Sequence, residues 1–496
     1  MMRIALTPDA RAGTRVAAWL RRARRATGLL AMLIMAAAVT EPSGAGAAEA
    51  GVNIAAPTAG QIGQADAVGA HWVRLFVSWR GLEPAKGEMN EALLGSYEQG
   101  FEQLPAHTKV ILDVVGSPQW ETGSGDEHAP PANPQDYATF VAALAQRLAP
   151  WVGAYEIWNE EDASMWWTGA PNPAAYAQLL KATYPAVKAA DPNAAVLVGG
   201  LTGNDYTFLE GLYAAGAKDS FDAVAVHTDT ACNVASPYEY LRLPENRIMP
   251  DSFLAYREVH SVMVANGDEK PIWMTEMSWR TTSATCFEGV FAGQKPEGVS
   301  DEQQATFLRE AYHCLAENPY VQVALWYPVQ DEGIVTSGLV RADGSDKPSF
   351  AAMRAYLRSG DTLNEPCGNF TGPKISVASP ANHITYTGPL AIRVSATSDQ
   401  GVFRIRLEID GKLIRNYDGK TYPSYLAGAI TWQGAKHIAF GRHTLTILAY
   451  DKERNVSSVE LSINHAKPKP EVKHKLKRKP KKHHSRHPRR AHRRHG

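Results

Sequence analysis

Cysteine is scarce in this sequence. Cys232, Cys286, Cys314 and Cys367 are the only four in 496 residues. None stands in a CxxC pair and no metal-ligand spacing surrounds them, which excludes a zinc ribbon and a thiol-redox centre. No GxGxxG follows an early apolar run, so the dinucleotide-binding fingerprint is missing too. Long hydrophobic runs are absent beyond "TGLLAMLIMAAAV" at 27–39, and that run is too short to span a bilayer comfortably. Net charge is also lacking, being formally zero. What is there is 44% hydrophobic and 21% charged residues, a globular balance over a length that suits two or three domains.

The zero hides an asymmetry. Residues 466–496 hold 14 Lys and Arg against Glu471 alone, and residues 1–50 hold 7 Arg against 3 acids, which leaves −17 on residues 51–465. The tail at 466–496 has almost no apolar residues and should be disordered. Its charge predicts attraction to an anionic cell-envelope polymer and no specific nucleic-acid partner. A solubilising spacer is the plainer alternative. At the other end, Arg21, Arg22, Arg24 and Arg25, the apolar run and the small residues "AGA" at 45–47 read as a signal peptide within 1–50. A retained anchor helix is the alternative. The expected product is secreted and extracellular, with retention at the envelope through the tail and no membrane span once the signal is removed. Export permits disulfides, and four cysteines allow three pairings.

Between these ends, apolar runs alternate with amphipathic stretches. The strand candidates are 51–54, 71–77, 108–114, 152–158, 194–199, 221–226, 271–275 and 321–326. Helical periodicity fills 134–148, 173–190 and 301–318, the second opened by Asn172 as a cap and Pro173 in the first turn. Eight strand–helix units over residues 51–365 predict an α/β fold, a (β/α)8 TIM barrel. A doubly wound sheet is the rival, and it lacks its glycine-rich loop. From 373 to 465 the period changes to two, with "IDGK" at 409–412 as a hairpin signal. That segment reads as a small all-β, immunoglobulin-like sandwich.

In a barrel of this kind the functional side chains stand at the C-terminal ends of the strands. The fourth strand closes on "YEIWNEED" (155–162), with Trp158, Asn159 and Glu160 where turn residues are usual. The second carries Arg74, the third ends in Asp113, the sixth leads to His227, the seventh ends in Glu276, and the eighth in Trp326. Glu160 and Glu276 would face each other across the mouth. Two carboxyl groups in such a place can divide acid and nucleophile roles when their surroundings push their pKa values apart. Glycoside hydrolysis needs such a pair. Tryptophan rings offer flat faces for sugar C–H groups.

Several stretches together resemble clan A glycoside hydrolases, families 39 and 5 above all: "HWVRLFVSWRGLEPAKGEMN", "SPQW", "YEIWNEE", "DPNAAVLVGG" and "PIWMTEMSW". The resemblance covers roughly 51–360. It implies a retaining glycoside hydrolase with a poly- or oligosaccharide substrate and no cofactor. It implies Glu160 as acid/base, Glu276 as nucleophile, and Asn159 on a sugar hydroxyl. Arg74 and His227 would orient or ionise Glu276, and Trp326 would floor the subsite of the attacked sugar. Trp120 and Trp166 sit in rim loops and either touch sugar or merely pack. The chain departs from the family in reading "NEED" where "NEP" is commoner, which brings Glu161 and Asp162 forward as rivals for the acid role. Cys232 and Cys286 fall in neighbouring rim loops, and Cys314 and Cys367 near the end of the barrel, so those are the favoured pairs. A catalytically silent carbohydrate-binding or adhesion protein on the same scaffold is the alternative function.

Overall fold

The computed structural model describes residues 48–469, apart from 230–231, 233–235, 244, 246, 287–291 and 369. Most of the expected signal segment and of the basic tail therefore lies outside the described residues. The chain forms two compact units that divide between Phe370 and Thr371. Among the described residues, no helix is long and apolar enough to cross a membrane.

The first unit is a barrel of eight parallel strands: β1 (Glu49–Asn53), β2 (Trp72–Ser78), β3 (Lys109–Val115), β4 (Val152–Ile157), β5 (Ala195–Val198), β6 (Val224–Asp229), β7 (Ile272–Ser278) and β8 (Val321–Trp326). They pair in the order β5-β4-β3-β2-β1-β8-β7-β6. Parallel bridges Leu197–Ala223 and Leu201–Val226 join β5 to β6 and close the ring. β1 begins at Glu49, inside the expected 1–50 leader and just after the small-residue run at 45–47. The main helices are α1 (Ala59–Val68), α2 (Glu91–Phe101), α3 (Pro134–Leu148), α4 (Pro173–Ala190), α5 (Tyr206–Ala214), α6 (Tyr256–Ala265), α7 (Asp301–Ala316) and α8 (Pro348–Ser359). Local chemistry starts them. Asn172 accepts from the Ala174 and Ala175 amides and Pro173 supplies the preset first turn of α4. A reciprocal Ser300–Gln303 capping box opens α7. α3 buries Tyr137, Phe140, Val141, Leu144 and Leu148, an apolar stripe at helical spacing.

Both disulfides form as the loop positions suggested. Cys232–Cys286 ties the segment after β6 to that after β7, and Cys314–Cys367 ties α7 to the chain beyond α8.

The second unit packs a five-stranded sheet against a three-stranded one. With β9 (Lys374–Ser379), β10 (Ile384–Tyr386), β11 (Leu390–Thr397), β12 (Val402–Ile409), β13 (Lys412–Asp418), β14 (Tyr425–Trp432), β15 (Gly441–Asp451) and β16 (Val456–His465), the orders are β10-β16-β15-β12-β13 and β14-β11-β9. Pairing is antiparallel except for β10 with β16. Alternate residues turn inward, including Ile392 and Val394, Ile405 and Leu407, and Leu445 and Ile447, to make a separate core. Asp410 and Gly411, both at positive φ, form the two-residue turn between β12 and β13.

Candidate active site

Side chains two apart on a strand share a face, so each inward position of the barrel predicts the next. The lower interior is an apolar plug of Trp72, Ile111, Ala154, Leu197, Ala225, Trp273 and Val323. Two residues further along, the same faces carry Arg74, Asp113, Glu156, His227 and Thr275. A charged layer thus rests on an apolar one.

Arg74, wholly buried, organises that layer. Its Nε donates to Glu156 Oε2 at 2.6 Å and its Nη2 to Asp113 Oδ2 at 2.6 Å and Asn159 Oδ1 at 3.0 Å. Its Nη1 donates to Glu276 Oε1 at 2.6 Å and Asn53 Oδ1 at 2.9 Å. Five acceptors from five strands or strand ends meet one guanidinium fork, a geometry that a lysine cannot reproduce. Burial acts to lower the Arg74 pKa, but Glu156, Asp113 and Glu276 outweigh it and hold the group charged. The same attraction keeps Glu156 below its ordinary value despite burial. Asp113 is pushed well up, chiefly by burial.

At the top of β4 the chain turns sharply. Trp158 has φ 69° and Glu160 φ 46°. Side-chain-bearing residues rarely adopt this region, and such strain persists only where surrounding structure enforces it. Trp158 is locked by its amide on Val114 O (3.2 Å) and its indole N–H on Trp166 O (2.7 Å). The turn sends Asn159 and Glu160 into the mouth of the barrel. It sends Glu161 the other way, fully buried, under the strand-five end. A Cβ on Gly199 would stand 2.1 Å from Glu161 Oε2, and one on Gly200 1.9 Å from His227 Nε2. The Gly199–Gly200 pair is what lets both side chains in. Burial and the nearby Asp162 push the Glu161 carboxyl well up. Asp162 accepts from the Thr202 amide and hydroxyl, at 2.9 and 3.1 Å, and burial raises it to about 7. Neither lines the pocket.

His227 lies within β6, not after it, because the strand runs to Asp229. Its Nδ1 meets Glu160 Oε1 at 2.9 Å and its Nε2 meets Thr275 Oγ1 at 3.1 Å, with Glu276 Oε1 3.7 Å away. The Thr275 hydroxyl donates to Glu156 Oε1 at 2.9 Å, so His227 Nε2 is the donor to Thr275. One proton then lies on the Nδ1–Oε1 contact between His227 and Glu160. Burial alone would lower His227, yet Glu276, Glu156 and Glu160 raise it to about 10. Burial pushes Glu276 upward, against the pull of His227 and Arg74. Glu160, His227 and Glu276 each offer a ligand atom within 4.8 Å of the others. That donor set could hold a divalent cation as well as serve acid–base work.

The pocket over these groups has a volume of about 310 Å³ and is lined by Phe76, Asn159, Glu160, Trp166, His227, Glu276 and Tyr327, among others. Trp166 lies in its wall, stacked on Phe76 at 5.6 Å and 6°. Two of the expected sugar contacts stand elsewhere. Trp326 is fully buried, its indole N–H on Ser337 O at 2.7 Å and its ring against Trp279, so it offers no face to the pocket. Tyr327, the next residue, lines the cavity in its place. Trp120 is held by Glu83 O at 2.8 Å and by the edge of Trp79, away from the pocket lining. Glu156, Thr275, Asn53, Phe76 and Tyr327 were not singled out from the sequence. For Glu156 the signal was there, an acid alternating with apolar residues inside the strand "VGAYEIW".

The fold is an eight-stranded parallel barrel with a pocket at the strand ends, followed by an immunoglobulin-like sandwich. Residues 373–447 match the bacterial Ig domain family. Among solved structures, the chain is similar to a family 39 glycoside hydrolase from Bacteroides cellulosilyticus WH2, at 19% identity and TM-score 0.50, covering 77% of this chain and 79% of that one. It is also similar to a monomeric beta-xylosidase from Caulobacter crescentus CB15, at 14% identity and TM-score 0.47, covering 84% and 94%. A glucosidase from Croceicoccus marinus follows at 14% identity and TM-score 0.47, covering 79% and 95%. No curated protein matches.

Proposed function

We propose that this chain is a secreted retaining glycoside hydrolase that cleaves a poly- or oligosaccharide with Glu160 as acid/base and Glu276 as nucleophile. The observation that carries the reading is the pair itself: two carboxylates, one just past β4 and one on β7, with an oxygen of each within 4.8 Å of the other in the lining of one pocket. Retaining enzymes hold their carboxyl groups about 5–5.5 Å apart, and inverting ones about 6.5–9.5 Å to admit a water.

The roles follow from the partners. Glu276 accepts from Arg74 and lies near His227, both cations, which hold its carboxyl in place and pull against the upward push of burial. Glu160 shares a proton with His227 and faces the pocket. In the first step the proton on the His227–Glu160 contact passes through the Glu160 carboxyl to the leaving oxygen as the C–O bond breaks, and a Glu276 oxygen bonds to the anomeric carbon. Bonding removes the Glu276 charge, the largest influence holding His227 up. In the second step Glu160 takes a proton from water, and the hydroxyl displaces Glu276. Asn159, anchored by Arg74, presents its amide to a sugar hydroxyl. The two disulfides suit an extracellular protein, and the tail at 466–496 supplies charge for holding anionic envelope polymers.

Azide rescue tests the assignment. Glu276→Ala should stop turnover, and azide should then yield a glycosyl azide of inverted configuration. Glu160→Ala should spare substrates with good leaving groups, accumulate the glycosyl–enzyme, and give a retained azide. The reverse stereochemistry would exchange the roles. Full activity in either variant would end the proposal.

A further inference from the structure

β7 carries an extra residue where it passes His227. Val226 is paired with Met274 and His227 with Glu276, so Thr275 stands between two successive pairs. On the other side the register between β7 and β8 shifts over the same stretch, between Met274 and Met277. A bulge of this kind bends the strand and re-aims side chains. Here it turns two consecutive residues inward, Glu276 to the pocket and Thr275 to the layer beneath it. The Thr275 carbonyl accepts from Asn53 Nδ2 at 2.9 Å, which ties the bulge to β1. Its side chain is fully buried and outside the pocket lining, so it can act only through a neighbour.

The Thr275 hydroxyl has one proton and lies between two groups. Glu156 Oε1 is at 2.9 Å and His227 Nε2 at 3.1 Å. Glu156 is wholly buried, yet Arg74 outweighs the upward push of burial and holds it ionised. A buried charged acceptor left without its donor is costly, so the Thr275 proton points at Glu156. The Thr275 oxygen then accepts from a proton on His227 Nε2. Glu156 Oε1 and Glu276 Oε1, each 3.7 Å from Nε2, lie beyond hydrogen-bond reach of it. The state of one ring nitrogen is set by the bond that the other makes. With a fixed proton on Nε2, the ring can release the proton that Nδ1 shares with Glu160 and remain a neutral imidazole. Without it, the Nδ1 proton would be the only one on the ring and could not be passed on.

We infer that Thr275, backed by Glu156, is a positioning residue that pins the second ring proton of His227 on Nε2 and so frees the proton on Nδ1 for Glu160. In the first step the shared proton moves through Glu160 to the leaving oxygen, and His227 keeps the Nε2 proton. In the second step the proton that Glu160 takes from water restores the shared one. This rests on the glycosidase reading above and adds how its acid is supplied.

Thr275→Val keeps the shape and removes the acceptor, whereas Thr275→Ser keeps the acceptor. The probes are 2,4-dinitrophenyl, 4-nitrophenyl and phenyl glycosides of common hexoses and pentoses in both anomers. Acid catalysis typically contributes about 10²–10⁴-fold, so kcat/KM of Thr275→Val on phenyl glycosides should fall about 100-fold or more, while 2,4-dinitrophenyl glycosides stay within about threefold. Thr275→Ser should restore the phenyl glycosides. Where only polymers turn over, their sugar leaving groups should respond as phenyl does. Glu160 can still serve as base in Thr275→Val, so azide should not speed that variant, unlike Glu160→Ala. A second readout needs no turnover. In the full chain labelled with nitrogen-15 histidine, the His227 signal is the one missing from His227→Gln. Its Nε2 should be protonated at neutral pH in the unaltered protein and in Thr275→Ser, and unprotonated in Thr275→Val. The unaltered protein decides this point even if Thr275→Val does not fold. An equal loss on all leaving groups, no loss, no recovery with serine, or an unprotonated Nε2 in the unaltered protein would overturn the inference and leave the glycosidase reading standing. No turnover of any glycoside or polymer by the unaltered protein would overturn both.

Discussion

Arg74 shows how much one side chain can hold. It is buried beneath the pocket and donates to carboxylates or amides from β1, β3, β4, β7 and the strand-four turn. Removing one member of a buried ionic network leaves the others uncompensated, which typically costs about 3–5 kcal/mol. Arg74→Met should lose stability on that order in urea denaturation, and turnover with it. Arg74→Lys should recover charge without the fork, so most of the activity should stay lost. Near-normal turnover in Arg74→Met would mean that Glu276 needs no cationic partner. Arg74 was legible in the sequence because a charge stood inside an apolar strand. Glu156 gave the same kind of signal, but nothing local distinguishes a buried acid with partners from one at a frayed strand end.

The strand-four turn shows the limits of a motif at the level of an element. "NEED" left three acids competing for one role. The positive φ values at Trp158 and Glu160 separate them by direction, and local sequence preference would not select those values for such residues. Asp162 became a brace for Thr202, with a pKa raised from 3.8 to about 7. Between those values the folded side chain keeps a proton that the unfolded chain has released. Stability should therefore fall as pH rises from about 4 to about 7. Asp162→Asn keeps an acceptor for Thr202 and has no charge to bury. Its urea midpoint should gain on the unaltered protein between pH 4.5 and pH 8, and a gap that does not change with pH would refute the assignment. Strands β6 and β7 ran past their expected ends for a related reason. His227 and Glu276 look like strand terminators until the partners inside the barrel are known.

At the scale of the whole molecule, each unit has its own core among the described residues. Ile447 is fully buried in the second. Ile447→Ala should cost the sandwich about 2–5 kcal/mol. Calorimetry should show one transition lowered and another unmoved. A single transition that shifts as a whole would mean that the two units unfold together.

By itself the sequence determined what depends on neighbours a few residues away. The alternation of the strands, the caps at Asn172 and Ser300, the Asp410–Gly411 turn and the chemical identity of Asn159, Glu160 and Glu276 are all of that kind. Tertiary structure decided what depends on closure. Only the closed ring brings Arg74 within 2.6 Å of Glu276, 202 residues away, and only packing against Trp279 and Ser337 turns Trp326 from a sugar platform into core. Local preferences act through the backbone of a few residues, whereas a site assembled from the ends of several strands exists only once those strands have paired.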